Sequence, residues 1–215
     1  MRIIISLIIV LSLIVSQAGA QEPQARIKET QPVAQKAMET FGQLVSKENY
    51  RQMGFESPDE VQSATLGKPI KDFMVRLDEL KKYEPGSKAD VLLTETNIII
   101  YPVLVKDKVR SSIIISKTDG SWQAVSFGGP AYIQSVSSTV LASSKATGLD
   151  YSSYFIVRIP SLNLFFIGFR SENVLMLVPL MDDARLKFKA GVSMKAEQVF
   201  STVLPEAKAH DGMPR

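Results

Sequence analysis

Two groups of three β-prone segments, each group joined by connections too short to hold a helix, constrain this chain most. The first group is NIIIYPVLV (Asn97 to Val105), VRSSIIISK (Val109 to Lys117) and SWQAVSF (Ser121 to Phe127). Its segments are rich in β-branched and aromatic residues and are separated by Lys-Asp-Lys and Thr-Asp-Gly. Connections that short join antiparallel neighbours. Asp119-Gly120 supplies the positive-φ residue that a tight hairpin wants. The second group is YFIVRIP (Tyr154 to Pro160), LNLFFIGFR (Leu162 to Arg170) and VLMLVPL (Val174 to Leu180). It is apolar at nearly every position, which predicts burial on both faces.

A helical pattern follows each group. Ile133, Val136 and Val140 share a face through AYIQSVSSTVLASSKA, although its serines and β-branched residues are weak helix formers. Ala196, Val199, Phe200, Val203 and Leu204 share another, which Pro205 is expected to end. Upstream, Ala34, Ala37, Met38, Phe41, Leu44 and Val45 recur at three- and four-residue steps, predicting an amphipathic helix from Pro32. Ser57-Pro58-Asp59-Glu60 reads as a capping box opening a shorter helix. Ile70 to Leu77 reads as a strand, followed by a helical turn stopped at Pro85-Gly86. The expected fold class is α+β, with antiparallel sheet or sheets from two three-stranded meanders, each followed by a helix, and an N-terminal helical segment. The order of elements over residues 97–146 recurs over 154–204, so an internal pseudo-repeat is expected from order alone.

The chain opens with Arg2, an unbroken apolar run from Ile3 to Val15, and Ala18-Gly19-Ala20 before Gln21. That is the pattern of a secretory signal peptide cleaved after Ala20. The run is shorter than the roughly 20 apolar residues a membrane-spanning helix needs. The expected organisation is a signal peptide at 1–20, a flexible polar leader at 21–31, one α+β domain at 32–206 and a disordered tail at 207–215. The mature protein is expected to be periplasmic or secreted, without a membrane span. The chain has no cysteine, so stability must come from packing and hydrogen bonds, and thiol nucleophiles and thiolate metal sites are excluded. Lys plus Arg total 25 against 22 Asp plus Glu. So small a surplus, spread along the chain, argues against nucleic acid as a partner. Arg185, Lys187 and Lys189 alternate with Leu186 and Phe188 and would share one face of an edge strand.

Ser126-Phe127-Gly128-Gly129-Pro130 runs from a strand into a helix, where paired glycines can cradle a phosphate. No Gly-Lys-Ser/Thr follows and the G-x-G-x-x-G spacing is absent, so a turn is the better reading. His210, the only histidine, lies in the polar tail, away from the buried setting a catalytic triad requires. Without other histidines or any cysteine, no metal or cofactor site is expected. Ser143 with Lys145 and Ser193 with Lys195 bring a hydroxyl near a base, but Ser193 suits a helix cap and no nucleophile elbow is present. The carboxylate pairs Asp78-Glu79 and Asp182-Asp183 sit beside turns. Trp122, Ala124 and Ser126 should share one strand face opposite Gln123, Val125 and Phe127. A pocket is expected between the strand holding Gly168 and the helix after Gly129, with Gly128, Gly129, Tyr132, Phe166 and Gly168 as ligand-binding residues. The reading is a non-enzymatic binding or accessory protein of the bacterial cell envelope, whose partner is an envelope protein or a small apolar ligand. The alternatives are a hydrolase using Ser and Lys or carboxylates, and a protease-inhibitor or propeptide-like module acting by β-addition.

Overall fold

In the computed structural model, which describes residues 22–212, the β-prone segments lie in one open sheet of nine strands. The expected signal peptide, residues 1–20, falls outside the described residues. In chain order the strands are β1 (Thr65–Leu66), β2 (Ile70–Val75), β3 (Leu93–Val105), β4 (Lys108–Thr118), β5 (Ser121–Gly128), β6 (Phe155–Ile159), β7 (Leu164–Ser171), β8 (Val174–Pro179) and β9 (Met194–Lys195). The helices are α1 (Glu22–Leu44), α2 (Leu77–Lys81), α3 (Pro130–Thr147) and α4 (Ala196–Ala209), with short 3-10 turns between elements. Spatially the strands run β5-β4-β3-β2-β6-β7-β8-β9, with β1 beside β3. Neighbours are antiparallel except β2 and β6, which run parallel with Lys71 opposite Phe155 and Met74 opposite Arg158. The fold is therefore α+β with a mostly antiparallel sheet, and the two strand groups share that one sheet. Among the described residues no helix is long and apolar enough to cross a membrane.

Two-residue hairpins close the local pairings. Lys106-Asp107, Asp119-Gly120 and Glu172-Asn173 hold positive φ at both positions, the backbone twist that matches flanking strands. Side chains alternate across the pleat, so each strand feeds both faces. On the front face Ile70, Ile100, Ile156 and Ile167 pack beneath Ile133, Val136 and Val140 of α3. On the back face α1 covers Ile99, Tyr101, Val103, Ile113 and Ile115 through Ala34, Ala37 and Phe41. Beside it α4 covers Val157, Phe166 and Leu177 through Val199, Phe200 and Val203. The second strand group is buried on both sides, as its apolar pattern predicts.

Several expectations change at element ends. The stretch expected as a flexible leader is helical from Glu22, with Pro32 inside α1. Side-chain contacts to the sheet anchor that extra length. Thr30 is fully buried and its Oγ1 lies 2.8 Å from the Tyr101 hydroxyl, Trp122 Nε1 donates to Glu29, and Arg26 pairs with Glu95. Pro58 opens only a six-residue 3-10 turn, and the reciprocal capping box does not form. Glu60 instead accepts from the Glu56 amide and from Arg110. α4 continues past Pro205 because Leu204 and Ala207 are still buried against the back-face core. The expected disordered tail is ordered through Gly212. His210 is only 3% exposed; its carbonyl accepts from Lys81 Nζ, and its Nδ1 accepts from the Gly212 amide.

Two pattern readings fail for reasons of register. Val125 is a bulge, since Ile114 faces Ser126 while Ile115 faces Ala124. One extra residue reverses the alternation. Phe127 therefore joins Trp122 and Ala124 on the back face, where its ring stacks on Phe41 at 5.7 Å. The Arg185–Lys189 stretch is a turn closed by paired backbone bonds between Asp183 and Phe188, with Lys187 at φ 57°. Its cations do not share an edge-strand face. Arg185 is bound by Asp183 and Glu206, and Lys189 by Asp182.

Gly168 sits in regular register opposite Phe155 and Leu177, so it marks no bulge. A Cβ there would lie 2.5 Å from Phe155 Cε2, closer than real contacts allow. The aromatic ring of Phe155 occupies the space a side chain would need. Gly168→Ala should destabilise the protein by roughly 1–3 kcal/mol through overpacking. Gly168→Ala with Phe155→Leu should recover most of that loss in urea unfolding. Equal midpoints for the single and double variants would contradict this account.

Candidate functional site

The front face is not fully covered by α3. Beside the first turn of that helix an apolar hollow of about 270 Å³ stays open, lined by Asp72, Ile98, Ile100, Ile114, Tyr132, Arg158 and Phe165. Its floor crosses five adjacent strands, β4 (Ile114), β3 (Ile98 and Ile100), β2 (Asp72), β6 (Arg158) and β7 (Phe165). At the usual strand spacing that is about 19 Å. Tyr132 from α3 leans edge-on against Phe165, with ring centroids 5.7 Å apart, and the two rings form one wall.

A bulge in the β2–β3 pairing prepares the polar part of the floor. Lys71 faces Ile99 and Phe73 faces Glu95, so the three residues Thr96 to Ile98 stand opposite Asp72 alone. This brings the Thr96 hydroxyl within 2.8 Å of both Asp72 Oδ2 and the Asp72 carbonyl. From the far side of the parallel seam Arg158 forms a two-pronged bond, Nε to Oδ1 at 2.7 Å and Nη2 to Oδ2 at 2.6 Å. Asp72 is 1% exposed and Arg158 28%. The carboxylate is enclosed while the guanidinium reaches the opening.

Charge and burial set the titration of the site. The hydrogen bond to Asp72 raises the Arg158 pKa above its ordinary value, against a desolvation that lowers it. Burial pushes the Tyr132 phenol well above the usual tyrosine range, and the charge of Asp72 adds to that rise while Arg158 opposes it. Three donors surround the Asp72 carboxylate, Arg158 Nε and Nη2 and the Thr96 hydroxyl, so its oxygens are already engaged.

The residues expected around a pocket divide between the two faces. Tyr132 lines the hollow, and β7 contributes to it through Phe165. Phe166 points to the back-face core, and Gly168 on the same face lies against Phe155. Gly128 and Gly129 form the left-handed turn before α3, where the Gly128 carbonyl accepts from Ser112 Oγ. They pack near Met53 and Ser112 and do not line the hollow. The sequence did carry a sign of the missed pair, an Asp beside Lys71 in IKDFMV and a lone Arg in FIVRI, opposite charges in two largely apolar strands.

The other candidates are not brought together. Ser143 and Lys145 are two apart on α3, a spacing that faces them in different directions. Ser193 and Lys195 are exposed, and the N-cap of α4 is Lys195 rather than Ser193. Asp78 and Glu79 are held by Arg76 and Lys82; Asp182 and Asp183 close the turn described above. Among the described residues no group of three or more His, Asp or Glu could hold a metal ion. A larger hollow of about 490 Å³ lies between α1 and β1, with Lys68, Gln31, Gln35 and Tyr101 in its lining. It contains no buried charge, so the smaller hollow is the candidate site.

Arg158→Met would leave Asp72 buried without its cation. Stability should fall by about 3 kcal/mol, the lower end for a broken buried pair because Arg158 is partly exposed; urea unfolding would measure it, and a loss under about 1 kcal/mol would refute the role. Tyr132, with its folded pKa raised, contributes stability that is present below the ordinary tyrosine pKa near 10 and lost as pH rises past it. In ultraviolet titration the protein and its Tyr132→Phe variant should therefore match up to about pH 11; an extra step near 10 in the unsubstituted protein would show an exposed phenol. Comparison of the chain with protein-family models, with curated proteins and with solved structures found no match.

Proposed function

We propose that the protein is an exported, non-enzymatic binding protein that takes a small, largely apolar ligand into the hollow under Tyr132. The observation that carries this is an open apolar surface with polar groups converging at one end, of the kind that ligand sites use to orient their occupants. A floor of Ile98, Ile100 and Ile114 would otherwise gain by being covered. At about 270 Å³ the hollow lies just below the roughly 300–1,000 Å³ of drug-sized pockets, so its ligand is small. Export rests on the apolar run and the Ala18-Gly19-Ala20 site at the head of the chain.

The same reading extends to the architecture. The order of β3 to β5 followed by α3 resembles that of β6 to β8 followed, after the short β9, by α4, which supports reading the two as equivalent units. Superposition with mismatched helix positions would reject that equivalence.

Toluene is a suitable first probe, because it is small, apolar and uncharged. At millimolar concentration it should shift the amide resonances of Ile98, Ile114, Tyr132 and Phe165, and Ile98→Trp, which fills the hollow, should abolish those shifts. Shifts confined to other regions, or unchanged in Ile98→Trp, would count against the site. For the leader, intact-mass measurement from an exporting host should give a chain beginning at Gln21; an uncleaved chain would remove the export reading.

A further inference from the structure

Resting on that reading of the hollow, we propose that its ligand carries an uncharged hydrogen-bond acceptor at the polar end, such as the carbonyl of a ketone, ester or amide. The atoms of the ion pair that remain available decide which head group fits. A guanidinium has five N–H donors in a fixed fork. Arg158 commits Nε and Nη2 to Asp72, which leaves Nη1 for the opening. Asp72 is enclosed at 1% exposure, and its oxygens already face Arg158 and Thr96. The hollow thus presents donors, Arg158 Nη1 and the Tyr132 hydroxyl, while its one strong acceptor is closed off.

The charges of the lining sum to zero, one carboxylate against one guanidinium. A ligand carboxylate would therefore bring an uncompensated negative charge into an apolar space. Drawing Arg158 toward it would strand Asp72, and a buried charge without a partner is strongly unfavourable. An ammonium would find no open anion, only the neutral Tyr132 oxygen. A plain hydrocarbon would cover the Arg158 and Tyr132 donors without satisfying them, which costs the desolvation of each. A neutral acceptor meets the donors without disturbing the pair. Its apolar body would then lie along Ile98 and Ile114, away from the seam.

Heptan-2-one, heptanoate and heptylammonium share a chain and differ at the head, so they test this directly. Binding is read at pH 7.5 from the amide shifts of the hollow, with toluene as the control for the hollow itself. Heptan-2-one should bind about tenfold more tightly than either charged probe, the difference one well-placed hydrogen bond supplies. Tyr132→Phe should weaken heptan-2-one several-fold while toluene, which no longer buries an unsatisfied hydroxyl, binds no more weakly than before. In Asp72→Asn the amide can still accept from Arg158 while the site gains a net positive charge, so heptanoate should overtake heptan-2-one. Heptanoate binding as tightly as the ketone in the unsubstituted protein would overturn the proposal, as would an unchanged order in Asp72→Asn. Should Asp72→Asn fail to fold, the order of the three probes and the Tyr132→Phe effect decide. Toluene binding without preference for the ketone removes the ligand class and leaves the hollow standing; if toluene also fails to bind, both readings fall.

Discussion

The parallel pairing of β2 with β6 is the constraint on which the rest of the structure depends. Among the described residues it is the one strand pairing that joins two antiparallel groups, each of which otherwise pairs only within itself. The Asp72–Arg158 bond crosses that seam, and a one-residue slip would turn one partner to the opposite face. A two-pronged charged bond in an apolar setting tolerates little misplacement. What the pair contributes is register, since well-packed apolar residues could have given comparable stability.

Helix placement follows from the seam. With the sheet continuous, each face is too wide for one helix: among the described residues α1 and α4 divide the back, while α3 alone serves the front. The uncovered remainder of the front face lies over the seam itself. The hollow and the ion pair are thus two results of one arrangement, because the site with the strictest register is also the site that no helix covers.

The strand groups, the α+β class and the burial of the second group could all be read from alternation and turn chemistry, because those signals are local. What could not be read depends on partners distant in sequence. The Val125 bulge leaves no mark in SWQAVSFG and yet reverses the facing of Phe127. The helical start at Glu22 depends on bonds from Thr30 and Glu29 to Tyr101 and Trp122, residues some seventy or more positions away. His210 looks like a tail residue until α2 supplies Lys81. At the hollow, Tyr132 of α3 and Phe165 of β7 are in the lining, while Phe166, its neighbour in the same apolar run, faces α4. A parity error of one residue is what pattern alone cannot resolve when both faces are apolar.

Asp72 and Arg158 are 86 residues apart, and that separation has a consequence for how the chain reaches its fold. The hairpins close over two-residue turns and form early, whereas the seam must wait for a long loop to close. Until β6 arrives, β2 is the bare margin of a growing sheet, able to pair with the wrong strand or with another molecule. During that interval Asp72 lacks its cation, and a charge on a bare strand edge discourages incorrect pairing. Arg158 removes the penalty only when the correct strand docks, so the residue that fixes the seam at the end also guards it before.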